Sequence, residues 1–186
     1  EAMSGHLRDW VMNGEIDLAL LYDNSDIGDC SSSLLMTEDL WFYAAADDWP
    51  FDAAPGTSID LGEALNTDLV LPSERHGLRR FVDRVARAEK LLPRVSIEMD
   101  SLPQIKKLVA RGSGYTIISP AAMHDMVEDG SLVGSPIANP NLTRDIYLVR
   151  SAAIQVTRAI RKCEDTCRHV VADLINRDIW KAALIE

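Results

Sequence analysis

The stretch from Asp68 to Ser119 constrains the fold more than any other part of the chain, because strand and helix patterns alternate through it without a break. Asp68–Leu71, Arg94–Met99 and Tyr115–Ser119 read as short apolar strands, and Leu78–Lys90 and Leu102–Arg111 as the helices between them. Strands that alternate with helices run parallel, since each helix returns the chain to the end of the sheet where it started. An α/β lobe is therefore expected over about Asp47 to Asn141, with Ala121–Glu128 as a further short helix stopped by Asp129-Gly130.

The flanking segments predict a second lobe. Ser4 reads as a helix N-cap, Leu7, Trp10 and Val11 follow at helical spacing, and Gly14 stops the helix. Asp17–Tyr22 reads as a strand buried on both faces in a parallel sheet. A polar loop runs through Ser33, and Leu34–Ala46 is extended over too great a length for one lobe, so it predicts a crossover into another. After the loop Ala138–Asn141, the strand Ile146–Val149 leads into a C-terminal helix over Ala152–Ile175. Val156, Ile160, Cys163, Cys167, Val170 and Leu174 recur four and three residues apart there, a stripe expected to face a core. Crossovers near Tyr43 and near Arg144 imply two lobes with a cleft, the usual place for a small ligand. The first lobe is short of a central strand and helix, and the chain opens at Glu1 without an initiator Met, so an upstream portion is expected.

Composition narrows the partners. With 186 residues and 47% apolar side chains the chain can bury a proper core. Its 29 acidic against 19 basic residues, a formal charge of -10, repel phosphate backbones and anionic membrane surfaces. The apolar runs Leu18–Tyr22 and Leu40–Ala46 are far shorter than the roughly 20 residues of a membrane span. Nothing at the start resembles an uncleaved secretory signal. Cys30, Cys163 and Cys167 are an odd set in a chain of this size, which favours reduced thiols in the cytoplasm.

Few motifs carry chemistry. Gly112-Ser-Gly114 follows a helix and precedes a strand, the reverse of a dinucleotide fingerprint, and reads as a tight turn. Cys163 and Cys167 lie on the apolar stripe with His169 rotated off it, so packing explains them better than a metal. No metal, no cofactor and no catalytic constellation is expected. The run Ser73, Glu74, Arg75, His76 joins a strand end to a helix start, where free backbone N–H groups and the helix dipole attract anions. Arg75 or Arg79 would add a bidentate partner for a carboxylate, although a solvated turn explains the same run. Asp100 and Ser101 occupy a second such junction, with Ser101 as its N-cap.

Several stretches together resemble a known family. Glu1-Ala-Met-Ser4 with Leu7 and Asn13–Leu20, then Glu38–Tyr43, Leu69–Ser73 with Gly77-Leu-Arg79, Ile97–Ser101 through Leu108–Pro120, and Asp145–Val149 are similar in order and spacing to the effector domain of LysR-type transcription regulators. The resemblance covers nearly all of residues 1–176. It implies an α/β fold of two Rossmann-like lobes with a cleft and two crossovers, of the periplasmic-binding-protein type II kind. Residues 1–42 with 144–178 would form the first lobe and 43–143 the second. A first strand and helix, a linker helix and a winged helix-turn-helix would normally precede them and are absent from this chain.

By the same resemblance the domain is not an enzyme. It binds a small anionic effector, assembles as a homodimer or homotetramer, and meets DNA only through the missing N-terminal domain, in the cytoplasm and away from membranes. The expected effector contacts are Ser73, Arg75, His76 and Leu78 at one junction, Asp100 and Ser101 at the next, and Ser119 and Ser4 at two further helix starts. Two readings stay open beside it, a solute-binding protein of a transport system and an enzyme on the same bilobal scaffold.

Overall fold

The computed structural model describes residues 2–185; Glu1, the first residue of the Glu1–Ser4 motif, lies outside them. The chain divides into two compact units, one made of the residues up to Glu38 together with Arg144 onward, the other of Asp39–Thr143. The first unit opens with α1 (Ser4–Met12), β1 (Leu18–Leu21) and β2 (Ser31–Asp39). The second runs β3 (Trp41–Ala45), β4 (Ile59–Asp60), α2 (Leu61–Leu65), β5 (Leu69–Leu71), α3 (Gly77–Ala88), β6 (Val95–Glu98), α4 (Leu102–Ala110), β7 (Thr116–Ile118), α5 (Pro120–Glu128) and β8 (Leu132–Ala138). The chain then returns through β9 (Thr143–Arg150) to α6 (Arg158–Asn176) and β10 (Ala182–Leu184).

In the second unit β5 pairs with β6 in parallel and meets β7 in parallel at Leu69 and Tyr115. Beyond β7 come β3, β8 and β4, with β3 antiparallel to both its neighbours and β4 parallel to β8. Leaving β5, α3 carries the chain to β6 on one side, and α4 carries it back to β7 on the other. Phe42, Leu65, Leu71, Val82, Ile105, Ile117 and Met123 are fully buried and fill one core between sheet and helices. On α3 the buried residues Leu78, Val82 and Ala86 recur every four positions, the period that turns one helix face to a sheet. The predicted Gly-x-Gly turn is present, with Gly112 at φ +69° and Gly114 at φ +137°. A Cβ on Gly114 would stand 2.5 Å from the Asp68 carbonyl oxygen, so the close passage of β5 and β7 requires glycine there.

The first unit has a sheet of order β1-β9-β2-β10. Three expectations are corrected in it. Met3, not Ser4, is the N-cap of α1, because Ser4 already has helical geometry and the first turn closes on the Met3 carbonyl through His6 and Leu7 N–H. Gly14 does take a left-handed conformation, at φ +72°. The strand at Leu18–Leu21 is an antiparallel edge partner of β9 with alternating burial, so the run is not a parallel strand covered on both faces. An edge strand needs apolar cover on one side only, and a run of four apolar residues reads the same either way.

The third correction concerns α6. It starts at Arg158, where the Thr157 hydroxyl accepts from Ile160 N–H, six residues after the expected Ala152. Of its side chains Val171 is buried, with Cys167 and Ile175 packed beside it in one cluster. The contacting ridge is thus 167-171-175, spaced by four, and Cys163 and Val170 of the expected stripe are exposed. Adjacent ridges of an amphipathic helix share residues, and periodicity alone does not choose between them.

Candidate functional site

Because β5, β6 and β7 are mutually parallel, their C-terminal ends share one edge of the sheet, and α3, α4 and α5 each begin there. The chain reverses direction across the sheet at β5, so this edge is a topological switch point, the place where open α/β sheets hold ligands. The three N-caps are His76, Ser101 and Ser119, all in extended conformation, and none of the three side chains makes a capping hydrogen bond. At the starts of α4 and α5 the first-turn N–H groups are consequently not met by the N-cap side chain.

At the β5–α3 junction the structure brings Ser73, His76 and Asp100 together. Ser73 donates its backbone N–H to Asp100 Oδ1 and its hydroxyl to Oδ2, both at 2.8 Å. His76 Nε2 stands 3.3 Å from Asp100 Oδ1, and the imidazole is fully buried. Partial burial raises the Asp100 pKa, but the two Ser73 hydrogen bonds and the neighbouring His76 outweigh it and hold the carboxyl below its ordinary value. An ionised carboxylate therefore sits beside the start of α3 and complements its dipole from within the protein.

The other expected residues are placed less uniformly. Arg75 is exposed, and its carbonyl oxygen accepts from Arg80 Nη1 at 3.4 Å. Arg79 is engaged inside the protein, donating from Nε to Asp83 at 3.0 Å and from Nη1 to Glu98 at 2.7 Å. Leu78 contributes its side chain to the core. Ser101 caps α4 by backbone geometry, as expected. Ser4 lies in the other unit, on the first turn of α1.

Ser119 is the informative member. It is 5% exposed, and its buried hydroxyl has no hydrogen-bond partner among the described residues. Leaving a buried hydroxyl unmet costs about 1–3 kcal/mol, so this atom at the start of α5 is a position where a ligand oxygen would be welcome. Thr116, at the start of β7, also has a fully buried hydroxyl without a partner among the described residues. It was missed from the sequence because a threonine in a short apolar strand reads as an ordinary β-former. Among the described residues no group of three or more His, Cys, Asp or Glu side chains could hold a metal ion. No helix among them is long and apolar enough to cross a membrane.

Comparison with known proteins shows the family and the fold. The LysR substrate binding domain family model matches residues 1–172. The nitrogen assimilation regulatory protein nac of Escherichia coli (strain K12) is 26% identical over 144 residues, which are 76% of this chain and 45% of that protein. The chain thus spans about half the length of the curated relatives it matches. Among solved structures, the Synechocystis PCC6803 CcmR regulatory domain in complex with 2-PG superposes with a TM-score of 0.73 at 20% identity, covering 90% of this chain and 79% of that one. The effector binding domain of QuiR in complex with shikimate gives a TM-score of 0.72 at 17% identity, covering 88% and 75%. The two structural likenesses show the fold: α/β units with mixed sheets and two crossovers.

Proposed function

The chain belongs to the LysR substrate binding domain family, and from that premise we propose that its second unit holds a small hydroxylated anion at the start of α5. The observation that carries this reading is the buried Ser119 hydroxyl without a partner among the described residues, placed at a helix N-terminus on the switch-point edge of the sheet. The acidic group belongs at α5 and α4, not at α3, because Asp100 already supplies a carboxylate beside the α3 start. Asp100 accepts two hydrogen bonds from Ser73 and faces His76, which leaves acceptor capacity for a ligand hydroxyl. Ser101 at the start of α4 supplies a second hydroxyl. Shikimate, held by the QuiR domain, is a carboxylate that also carries hydroxyls, and supports this class.

The ligand acts by its difference in affinity for two arrangements of the assembly, which a DNA-binding segment of the whole regulator reads out in the cytoplasm. Assembly into homo-oligomers is supported by the first unit, where Trp10 and Met12 of α1 are exposed and β1 is an edge strand. Thermal denaturation of the chain in the presence of hydroxy acids, their deoxy analogues and their methyl esters tests the reading. A Tm rise is expected with the hydroxy acids and is reduced by either change. Equal shifts from acid and ester, or none from any compound, would overturn it.

A further inference from the structure

The chain passes from its first unit to its second after Glu38 and returns before Arg144, and these two residues are bonded to each other. Arg144 Nε donates to Glu38 Oε1 at 2.6 Å, with side-chain exposures of 3% and 0%. A carboxylate this deeply buried needs donors on both oxygens. The second comes from near the C-terminus: the Trp180 indole N–H donates to Glu38 Oε2 at 2.7 Å. The residues that follow run along the same strand, β10 pairing antiparallel with β2 so that Ala182 lies opposite Glu38 and Leu184 opposite Met36. On the other side, the guanidinium carbon of Arg144 stands 3.5 Å from the centre of the Tyr22 ring. Arg144 Nη1 is buried without a hydrogen-bond partner among the described residues, so compensation of the guanidinium charge depends on where Glu38 is held.

We propose that residues 180–184 form a releasable strap across the crossover, with Trp180 as the positioning residue that holds Glu38 against Arg144. A three-residue strand whose Ala183 and Leu184 are exposed is among the least costly elements to open, so the strap can detach while the unit stays folded. Detachment removes one of the two donors to Glu38 and loosens β2 and β9 where the chain changes units. The inference goes beyond the ligand reading and does not depend on it.

Amide hydrogen exchange on the whole chain tests it, comparing the natural sequence with Trp180→Phe, which keeps a ring in the cluster and deletes the N–H. Exchange at Thr37, Glu38, Asp145 and Ile146 is expected to rise about tenfold, while amides of α1 and β5 hold their rates. Glu38→Gln also breaks the ion pair to Arg144 and should raise exchange at these amides further, and adding Trp180→Phe to it should change little more, because the indole N–H then no longer holds a carboxylate. A rise confined to residues 182–184, no rise, a uniform rise across the first unit, or additive effects in the double variant would each overturn the proposal.

Discussion

Ser73 and Asp100 are joined by two hydrogen bonds of 2.8 Å, one from the backbone N–H and one from the hydroxyl of the same serine. The pair ties the loop after β5 to the loop after β6 and fixes the carboxylate that complements α3. Asp100→Asn removes the charge and turns one acceptor oxygen into a donor facing the Ser73 hydroxyl. Since the carboxylate is partly exposed, solvent screening limits the loss to about 1 kcal/mol, read from denaturant midpoints at pH 7.

The same pair sets a pH dependence. The Asp100 pKa is depressed in the folded chain by Ser73 and His76 against the opposing effect of burial. A depressed acid contributes stability above its unfolded pKa of about 4 and loses it as pH falls through the folded value. The gap in stability between the natural chain and Asp100→Asn is therefore expected to be constant near neutrality and to narrow below about pH 4. A gap that widens on acidification would contradict the assigned direction.

Gly114→Ala tests the close passage of β5 and β7. The added methyl would meet the Asp68 carbonyl oxygen at 2.5 Å in a backbone conformation of φ +137°. Neither the strand nor the turn can yield without losing the bridge between Leu69 and Tyr115, so a loss of at least about 2 kcal/mol is expected. Ser113→Ala, at an exposed position in the same turn, should stay within about 0.5 kcal/mol and serves as the control.

What was legible before the structure follows the same physics. From Asp68 to Glu128 each element carries its own local signal, such as the four-residue spacing of Leu78, Val82 and Ala86 or the glycines at 112 and 114, and the structure has these elements within a residue or two of their expected ends. β4 and α2 have two and five residues, too few to display a period. β8 contains Gly134 and Pro136, which break a strand pattern on the page while the tertiary pairing to β3 supports it. At the site, the strand-to-helix junctions were readable because they are local. The Ser73–Asp100 bond spans 27 residues and the Trp180–Glu38 bond 142, and contacts of that separation leave no periodic trace.

Breaking the Glu38–Arg144 pair should be costly in a way that replacing it is not. Arg144→Met leaves a buried carboxylate with only the Trp180 donor, and a loss of about 3–5 kcal/mol is expected. Adding Glu38→Leu removes the stranded charge and should restore most of that loss, short by about 1 kcal/mol for the unmet indole N–H. Urea denaturation of the three chains decides it; a double variant no better than the single one would mean that the pair is not an isolated charge couple.

Ser119→Ala separates stability from binding. The hydroxyl is buried without a partner among the described residues, so deleting it removes an unmet polar group and leaves a void of one oxygen. These effects oppose each other, and the net change in stability is expected to lie within about 0.5 kcal/mol of zero. Were the serine an ordinary structural cap, its loss would instead cost about 1 kcal/mol. Binding moves differently, because a hydrogen bond to a charged ligand in a buried site contributes about 1.5–3 kcal/mol, equal to roughly a tenfold to hundredfold change in Kd. Calorimetric titration of shikimate, or of whichever hydroxy acid gives the largest thermal shift, into the natural and Ser119→Ala chains reads that difference directly. Weakened binding at unchanged stability places Ser119 on the ligand, whereas unchanged binding removes it from the site and moves the search to the Thr116 hydroxyl.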